Sequence, residues 1–358
     1  MTLTYFGCFS EKWKKGTSAG SEDSVHKSLR IRCKNPKGKR RISPTQACEP
    51  MQRPVLFIWF GIISLTTIGG CGPVADTLSF GWGSLGMQPG QLVRPRALAV
   101  DSEQQVYVVD FAGRIQVFTP DGQYLRGWQT PTIANGRPGA MCIGQNGTVV
   151  IADSHYHRLL IYDRDGKLLR EITGQADVEP GPFAYVAGVV QDREGCYYLT
   201  EFGEGDRIRK LSPDGQLINT WGQHGTANGA MARPRGIALS PEGELYVADS
   251  CNHRIQVFNR EGQWLHSFGQ QGKEPGQFEY PYGVAVAGDG TVWVVEFGNQ
   301  RVQRLTREGQ PLQSWGGPGR GAGLLHNPWG LAINHETKRV YVADTDNHRV
   351  QSIQFTSR

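Results

Sequence analysis

Six acidic residues recur along this chain, each closing a short β-rich run: "QVYVVD" at Asp110, "TVVIAD" at Asp153, "CYYLTE" at Glu201, "ELYVAD" at Asp249, "TVWVVE" at Glu296 and "RVYVAD" at Asp344. Successive members are separated by 43, 48, 48, 47 and 48 residues. Self-similarity at this period rules out most folds, because each unit is one supersecondary element that buries its apolar face only against its neighbours. A small residue stands 13 positions before each of the first five acids, at Ala97, Ala140, Gly188, Gly236 and Gly283, and Gly330 does the same with one inserted residue. Two positions earlier come Pro95, Pro138, Pro234, Pro281 and Pro328, with Val186 in the third copy.

Each copy reads as four strands. The first is short and apolar, as in "GVAVA", which suits a strand covered on both faces. A Gly/Asp turn leads to an aromatic and β-branched second strand, then a short loop to an alternating third strand such as "RIQVF". A polar hairpin leads to the fourth, which carries one large apolar anchor: Trp128, Ile172, Trp221, Phe268 or Trp315. Four short strands per unit, with no helical period, is the pattern of a β-propeller blade. The last copy ends after its third strand, and "LSFGWGSLGMQPGQLVRP" at 78–95 matches the fourth-strand segment "HSFGQQGKEPGQFEYP" at 266–281. The expected architecture is therefore an all-β, six-bladed propeller over 78–358, whose N-terminal strand completes the last blade, with Phe80 as its anchor. Closure of the ring removes an exposed sheet edge.

The stretches "NHRIQVF", "NQRVQRL" and "NHRVQSI", each a set distance after a "VYVAD"-like strand, resemble NHL repeats. Copies one and three depart from the Asn-His pair, with "FAGRI" and "FGEGDRI". The resemblance covers about 78–358 and implies a six-bladed propeller used mostly as a binding platform.

The chain as a whole carries a formal charge of +5, but residues 1–50 hold eleven Lys/Arg against four Asp/Glu, a net of +7. The rest is slightly acidic, so bulk charge gives no ground for nucleic-acid binding. Residues 1–50 are polar, basic and without apolar periodicity, as in a disordered extension. From Met51 the layout is that of a secretory signal over 51–70: Arg53, then an apolar stretch from Val55 to Ile68, then small residues before Cys71. The apolar run is short for a membrane-spanning helix, which needs about 20 residues. "TIGGC" resembles a bacterial lipobox, in which the cysteine is lipidated, and 71–77 would then be a lipidated tether. An ordinary cleaved signal or a membrane anchor is the alternative. Translation starting at Met51 is the corresponding expectation, leaving 1–50 untranslated. These features place the protein in the cell envelope, membrane-anchored and facing the periplasm or exterior.

A catalytic site brings unlike groups to one place; groups repeated in every copy suggest bracing instead. An arginine opens every third strand and pairs by position with the repeated acid: Asp110 with Arg114, Asp153 with Arg158, Glu201 with Arg207, Asp249 with Arg254, Glu296 with Arg301 and Asp344 with Arg349. Guanidinium–carboxylate geometry fits that structural task. His157, His253 and His348 share one repeat position, so they fall on different blades and are not expected to converge on a metal. "GGPGRGAG" at 316–323 lies between strands, with no helix N-terminus to hold a phosphate. "NGT" at Asn146 is a sequon by pattern, but Asn-Gly is also a hairpin turn. Cys142, Cys196 and Cys251 form neither a disulfide framework nor a zinc-ribbon spacing.

Positions that vary between copies are more informative. The residue between the proline and the small residue runs Arg96, Gly139, Ala187, Arg235, Tyr282, Trp329; the residue after the acid runs Phe111, Ser154, Phe202, Ser250, Phe297, Thr345. In a propeller both sets face one channel mouth. Arg96, Arg235, Tyr282, Trp329, Phe111, Phe202 and Phe297 suit an anionic or planar ligand, with packing around the channel as the alternative. No cofactor, metal or catalytic residue is expected. The expected function is that of a monomeric, membrane-tethered scaffold binding a protein, peptide or glycan. The alternative is a propeller enzyme of lyase or lactonase type, similar to the peptide-amidating lyase, whose site does not map residue by residue onto this chain.

Overall fold

The computed structural model describes residues 78–203 and 205–356; the expected extension, signal and tether of residues 1–77 lie outside the described residues. Six four-stranded antiparallel sheets are arranged as blades. Their innermost strands are Pro95–Val100 (blade 1), Ala140–Ile143 (blade 2), Tyr185–Gln191 (blade 3), Pro234–Leu239 (blade 4), Pro281–Val286 (blade 5) and Leu331–Asn334 (blade 6). Each inner strand touches the next, and the sixth touches the first, so they line a closed channel.

The ring closes as the repeat requires. Leu78–Trp82 pairs antiparallel with Arg349–Gln354 and becomes the outer strand of blade 6. The anchor differs from the expectation: Trp82 packs in the core between blades 6 and 1, whereas Phe80 is 37% exposed. The cause is register. Leu85 bridges Leu92 as Gln271 bridges Phe278, which puts Trp82 level with Phe268.

The core is divided into six apolar layers, one between each pair of neighbouring blades. Both faces of every interior strand are therefore covered. This explains why the alternating third strand is buried almost throughout, including Gln256 and Gln303 at 0% exposure.

The small residue of each inner strand answers a close approach between blades. A Cβ on Gly236 would stand 2.8 Å from the Tyr282 carbonyl oxygen of blade 5, and one on Gly330 would stand 2.6 Å from the Arg96 carbonyl oxygen of blade 1. These contacts seat the residues at the channel mouth.

Candidate functional site

The repeated acid is the hub that ties each blade to the loop leading into it. In blade 4, Asp249 accepts from Arg254 Nε at 2.8 Å, Asn252 Nδ2 at 2.9 Å, Gln256 Nε2 at 3.0 Å and the Ala232 N–H at 2.7 Å. Arg254 Nη2 also donates to the carbonyls of Ala227 and Ala230, each at 2.8 Å. The same construction surrounds Glu296 and Asp344. All six expected acid–arginine pairs are closed, at 2.6 Å for Asp110–Arg114, 2.9 Å for Asp153–Arg158, 2.7 Å for Glu201–Arg207, 2.8 Å for Asp249–Arg254, 2.5 Å for Glu296–Arg301 and 2.7 Å for Asp344–Arg349. Blade 3 substitutes Arg209 for the glutamine, and its Nε reaches Glu201 at 2.8 Å. Blade 2 has Leu160 there, so Asp153 Oδ1 has no partner, and burial raises its pKa above the ordinary carboxylate value.

The histidines join neighbouring blades. Nδ1 of His253 accepts the Tyr280 N–H at 3.2 Å, and Nδ1 of His348 accepts the Arg94 N–H at 3.1 Å. His157 Nδ1 lies 3.1 Å from the Ala184 carbonyl. The loop at 316–323 receives Arg349 and Asn347 through its carbonyls, and Asn146 sits at φ 56° in the hairpin turn of blade 2. Among the described residues no three His, Cys, Asp or Glu side chains are grouped to hold a metal ion.

The variable positions converge. Residues 96, 139, 187, 235, 282 and 329 encircle a neck of about 80 Å³ at one end of the channel. Below them Leu98, Met141, Val189, Ile237, Val284 and Leu331 form an apolar ring that also floors a cavity of about 870 Å³ opening at the other end. No carboxylate, histidine or thiol lines the neck among the described residues.

Arg96 lies over Phe111 at 4.7 Å and over Trp329 at 4.8 Å. Arg235, on the opposite side of the ring, lies over Phe202 at 4.8 Å, Tyr282 at 4.7 Å and the same Trp329 at 5.3 Å. Tyr282 stacks on Phe297 with centroids 4.7 Å apart, and Trp329 stands edge-on to Tyr282 at 5.0 Å. Burial, then repulsion from Arg94, Arg235 and Arg137, pulls the pKa of Arg96 down to about 10. Burial likewise lowers that of Arg235, opposed by the Tyr282 hydroxyl. All seven expected mouth residues thus belong to one connected cluster. The positions after the acid split by blade. Phe111, Phe202 and Phe297 face the cluster, while the hydroxyls of Ser154, Ser250 and Thr345 bond the carbonyls of Val186, Pro281 and Pro95 on the next blade.

Sequence reasoning missed Arg94, Arg137 and Arg233, which lie 5.1–5.4 Å from Phe111 or Phe202. It also missed Tyr185, stacked on Phe202 at 5.4 Å, and His155 beside it. Burial and then Arg96 lower the pKa of His155. Arg94, Arg137 and Arg233 immediately precede the repeat proline, and Tyr185 stands at the same place before Val186, a position at which the copies also vary.

Residues 231–258 and 325–352 match the sequence model of the NHL repeat. NHL repeat-containing protein 3 of Homo sapiens is 28% identical over 176 residues, covering 45% of this chain and 50% of that protein. The Mus musculus protein of the same name is 30% identical over 181 residues, with the same shares. The chain spans about half the length of the curated relatives it matches. Among solved structures, a gluconolactonase from Xanthomonas campestris superposes with a TM-score of 0.56 at 16% identity, over 74% of this chain and 88% of that one. A streptogramin B lyase does so with 0.53 at 17% identity, over 78% and 87%. At these identities the likeness is one of fold.

Proposed function

We propose that this NHL-repeat propeller is an extracytoplasmic binding module, held at a membrane through Cys71, that takes a protein, peptide or glycan at the arginine–aromatic mouth. The observation that carries this reading is the convergence of Arg96, Arg235, Tyr282 and Trp329 from four blades on one end of the channel. Aromatic faces with a few placed cations are the usual dress of a recognition surface. Acid–base chemistry needs a positioned titratable group with a shifted pKa near neutrality, and the described lining of the neck supplies none.

The wide end is less suited to the task. Of the charged side chains that line it, Arg260 is engaged across blades with Glu194 at 2.9 Å and Asp192 at 3.7 Å. It acts there as a clasp between adjacent sheets.

The tether follows from the same reading. Six residues lie between Cys71 and Leu78, and extended chain spans about 3.4 Å per residue. The propeller would therefore stay within roughly 20 Å of the bilayer. Residues 71–358 carry 26 Lys/Arg and 29 Asp/Glu, so charge would not draw the protein to an anionic surface, and lipid alone would hold it.

The test is a panel of peptides and glycans probed with the full chain and with Trp329→Ala. Ligands retained by the wild type and lost by the variant, at an unchanged unfolding midpoint, support the mouth. Ligands bound equally by both refute it. Turnover of a lactone or lyase substrate that depends on Arg235 would establish the enzymatic alternative instead. Cys71→Ser should release the protein from the membrane fraction or leave it unprocessed; a variant still membrane-bound in high salt would refute the lipid anchor.

A further inference from the structure

We propose that the channel neck binds a single oxyanion, the carboxylate or phosphate end group of the ligand, between the guanidinium groups of Arg96 and Arg235. The inference rests on the mouth being the ligand site and adds what the neck itself holds.

Three observations carry it. The first is unpaired charge. Arg235 is 8% exposed, and its Nε has no hydrogen-bond partner. Among the described residues neither Arg235 nor Arg96 forms an ion pair, whereas Arg94, Arg126, Arg164, Arg260 and Arg307 each do. A buried cation without an anion is unfavourable. Ring faces offset part of that cost, but they do not satisfy the in-plane Arg235 Nε–H, one of the five N–H donors of a guanidinium.

The second is geometry. Arg96 and Arg235 come from blades 1 and 4, on opposite sides of the ring, yet both reach the indole of Trp329, at 4.8 and 5.3 Å. Two like charges brought to one ring repel, and an anion between them turns that repulsion into attraction. Paired N–H forks from two arginines match the oxygens of carboxylate or phosphate.

The third is size. The neck holds about 80 Å³, against roughly 300–1,000 Å³ for a site that encloses a whole small ligand. It encloses an end group of the ligand rather than the whole of it. Gly139 and Ala187 stand at the mouth positions of blades 2 and 3. Their small side chains leave the approach open on that side. Arg137 and Arg233 sit around the rim and bias it toward anions. The apolar ring at Leu98, Met141, Val189, Ile237, Val284 and Leu331 sets the floor, so the body of the ligand stays outside on Tyr282, Phe297 and Phe111.

The experiment is calorimetric titration of the full chain with inorganic phosphate and, separately, with acetate, in low-chloride buffer at matched ionic strength. One-to-one binding of either anion is expected, and the anion bound identifies the end group. Arg235→Met and Arg96→Met should each weaken that binding at least tenfold. Each should also raise the unfolding midpoint of the anion-free protein, because an unpaired buried charge has been removed. A bracing arginine would do the reverse, lowering the midpoint and leaving anion binding intact, and that result overturns the proposal. So does a wild-type protein that binds neither anion. If the wild type binds neither anion but still binds panel ligands in a Trp329-dependent way, the clamp is wrong and the mouth reading stands.

Discussion

Arg254→Ala separates a bracing arginine from a ligand-binding one. Asp249 is fully buried, and it loses one of four hydrogen-bond donors when the guanidinium is removed. The loop before blade 4 loses two more bonds, at the carbonyls of Ala227 and Ala230. Breaking a buried pair from one side costs about 3–5 kcal/mol. Asn252, Gln256 and the Ala232 N–H remain to solvate the carboxylate, which puts the loss at the lower end, about 3 kcal/mol. For a domain of this size that is a fall of roughly 6–12 °C in unfolding midpoint. The pH dependence has a definite sign. Burial already raises the Asp249 pKa, against the donors that lower it, and removing Arg254 raises it further. The folded variant then binds a proton more readily than the unfolded chain, so its deficit shrinks as pH falls. Urea unfolding followed by tryptophan fluorescence, at about pH 7.5 and about pH 5, measures both effects. A loss below about 1 kcal/mol, or intact stability with abolished ligand binding, would refute the bracing role.

Trp82→Ala should cost about 3 kcal/mol or more, as expected for a large aromatic deleted from a core, and Phe80→Ala far less; equal losses would mean the last blade is closed in another register. Deleting Thr77–Gly83 should expose the edge of Arg349–Gln354 and cause aggregation or a large drop in unfolding temperature, and an unchanged transition would rule out the N-terminal strand as the closing element. Gly236→Ala should destabilise measurably by urea titration, because its Cβ would meet backbone at 2.8 Å, whereas a wild-type midpoint would show that the blades part without cost. His335, whose pKa is lowered chiefly by burial, against Asp289, takes up its proton at lower pH in the folded protein than in the unfolded chain. Stability is therefore lost relative to His335→Gln as pH falls from about 7.5 to about 5.5, and parallel stability curves would dismiss this effect.

The blade count and ring closure were legible because a repeat writes its architecture six times over, and single departures do not hide it. The anchor of the last strand was not, because "SFG" at 79–81 imitates "SFG" at 267–269 while the true register lies two residues on. Alternation in "RIQVF" suggests a wet face, yet Gln256 is buried, since its amide is needed by Asp249 and the Ala230 carbonyl. At the mouth, the seven residues stood out as breaks in the repeat. Arg137 stands with Arg94 and Arg233 just before the repeat proline, and the pattern did not tell that this position borders the mouth. Nor could the sequence reveal that Arg96 and Arg235 share an indole, since that depends on the width of the closed ring.

The asymmetry of the mouth is built from small departures on a symmetric frame. Blades 2, 4 and 6 carry Ser154, Ser250 or Thr345 after the acid, and each hydroxyl locks onto the next inner strand. Blades 1, 3 and 5 carry phenylalanine at that position, and each ring gathers different company. Phe111 collects Arg94, Arg96 and Arg137, and Phe202 collects Arg233 and Arg235. Phe297 instead collects Tyr282 and Trp329. Two of the three thus supply cations, and the third supplies the aromatic surface on which Arg96 and Arg235 both rest. Cations at all three would repel one another across a narrow neck with no ring at its centre. Rings at all three would give an apolar plug with nothing to orient a ligand. The observed division brings two positive charges to one indole and leaves Arg235 Nε without a partner, an arrangement that a negatively charged end group completes.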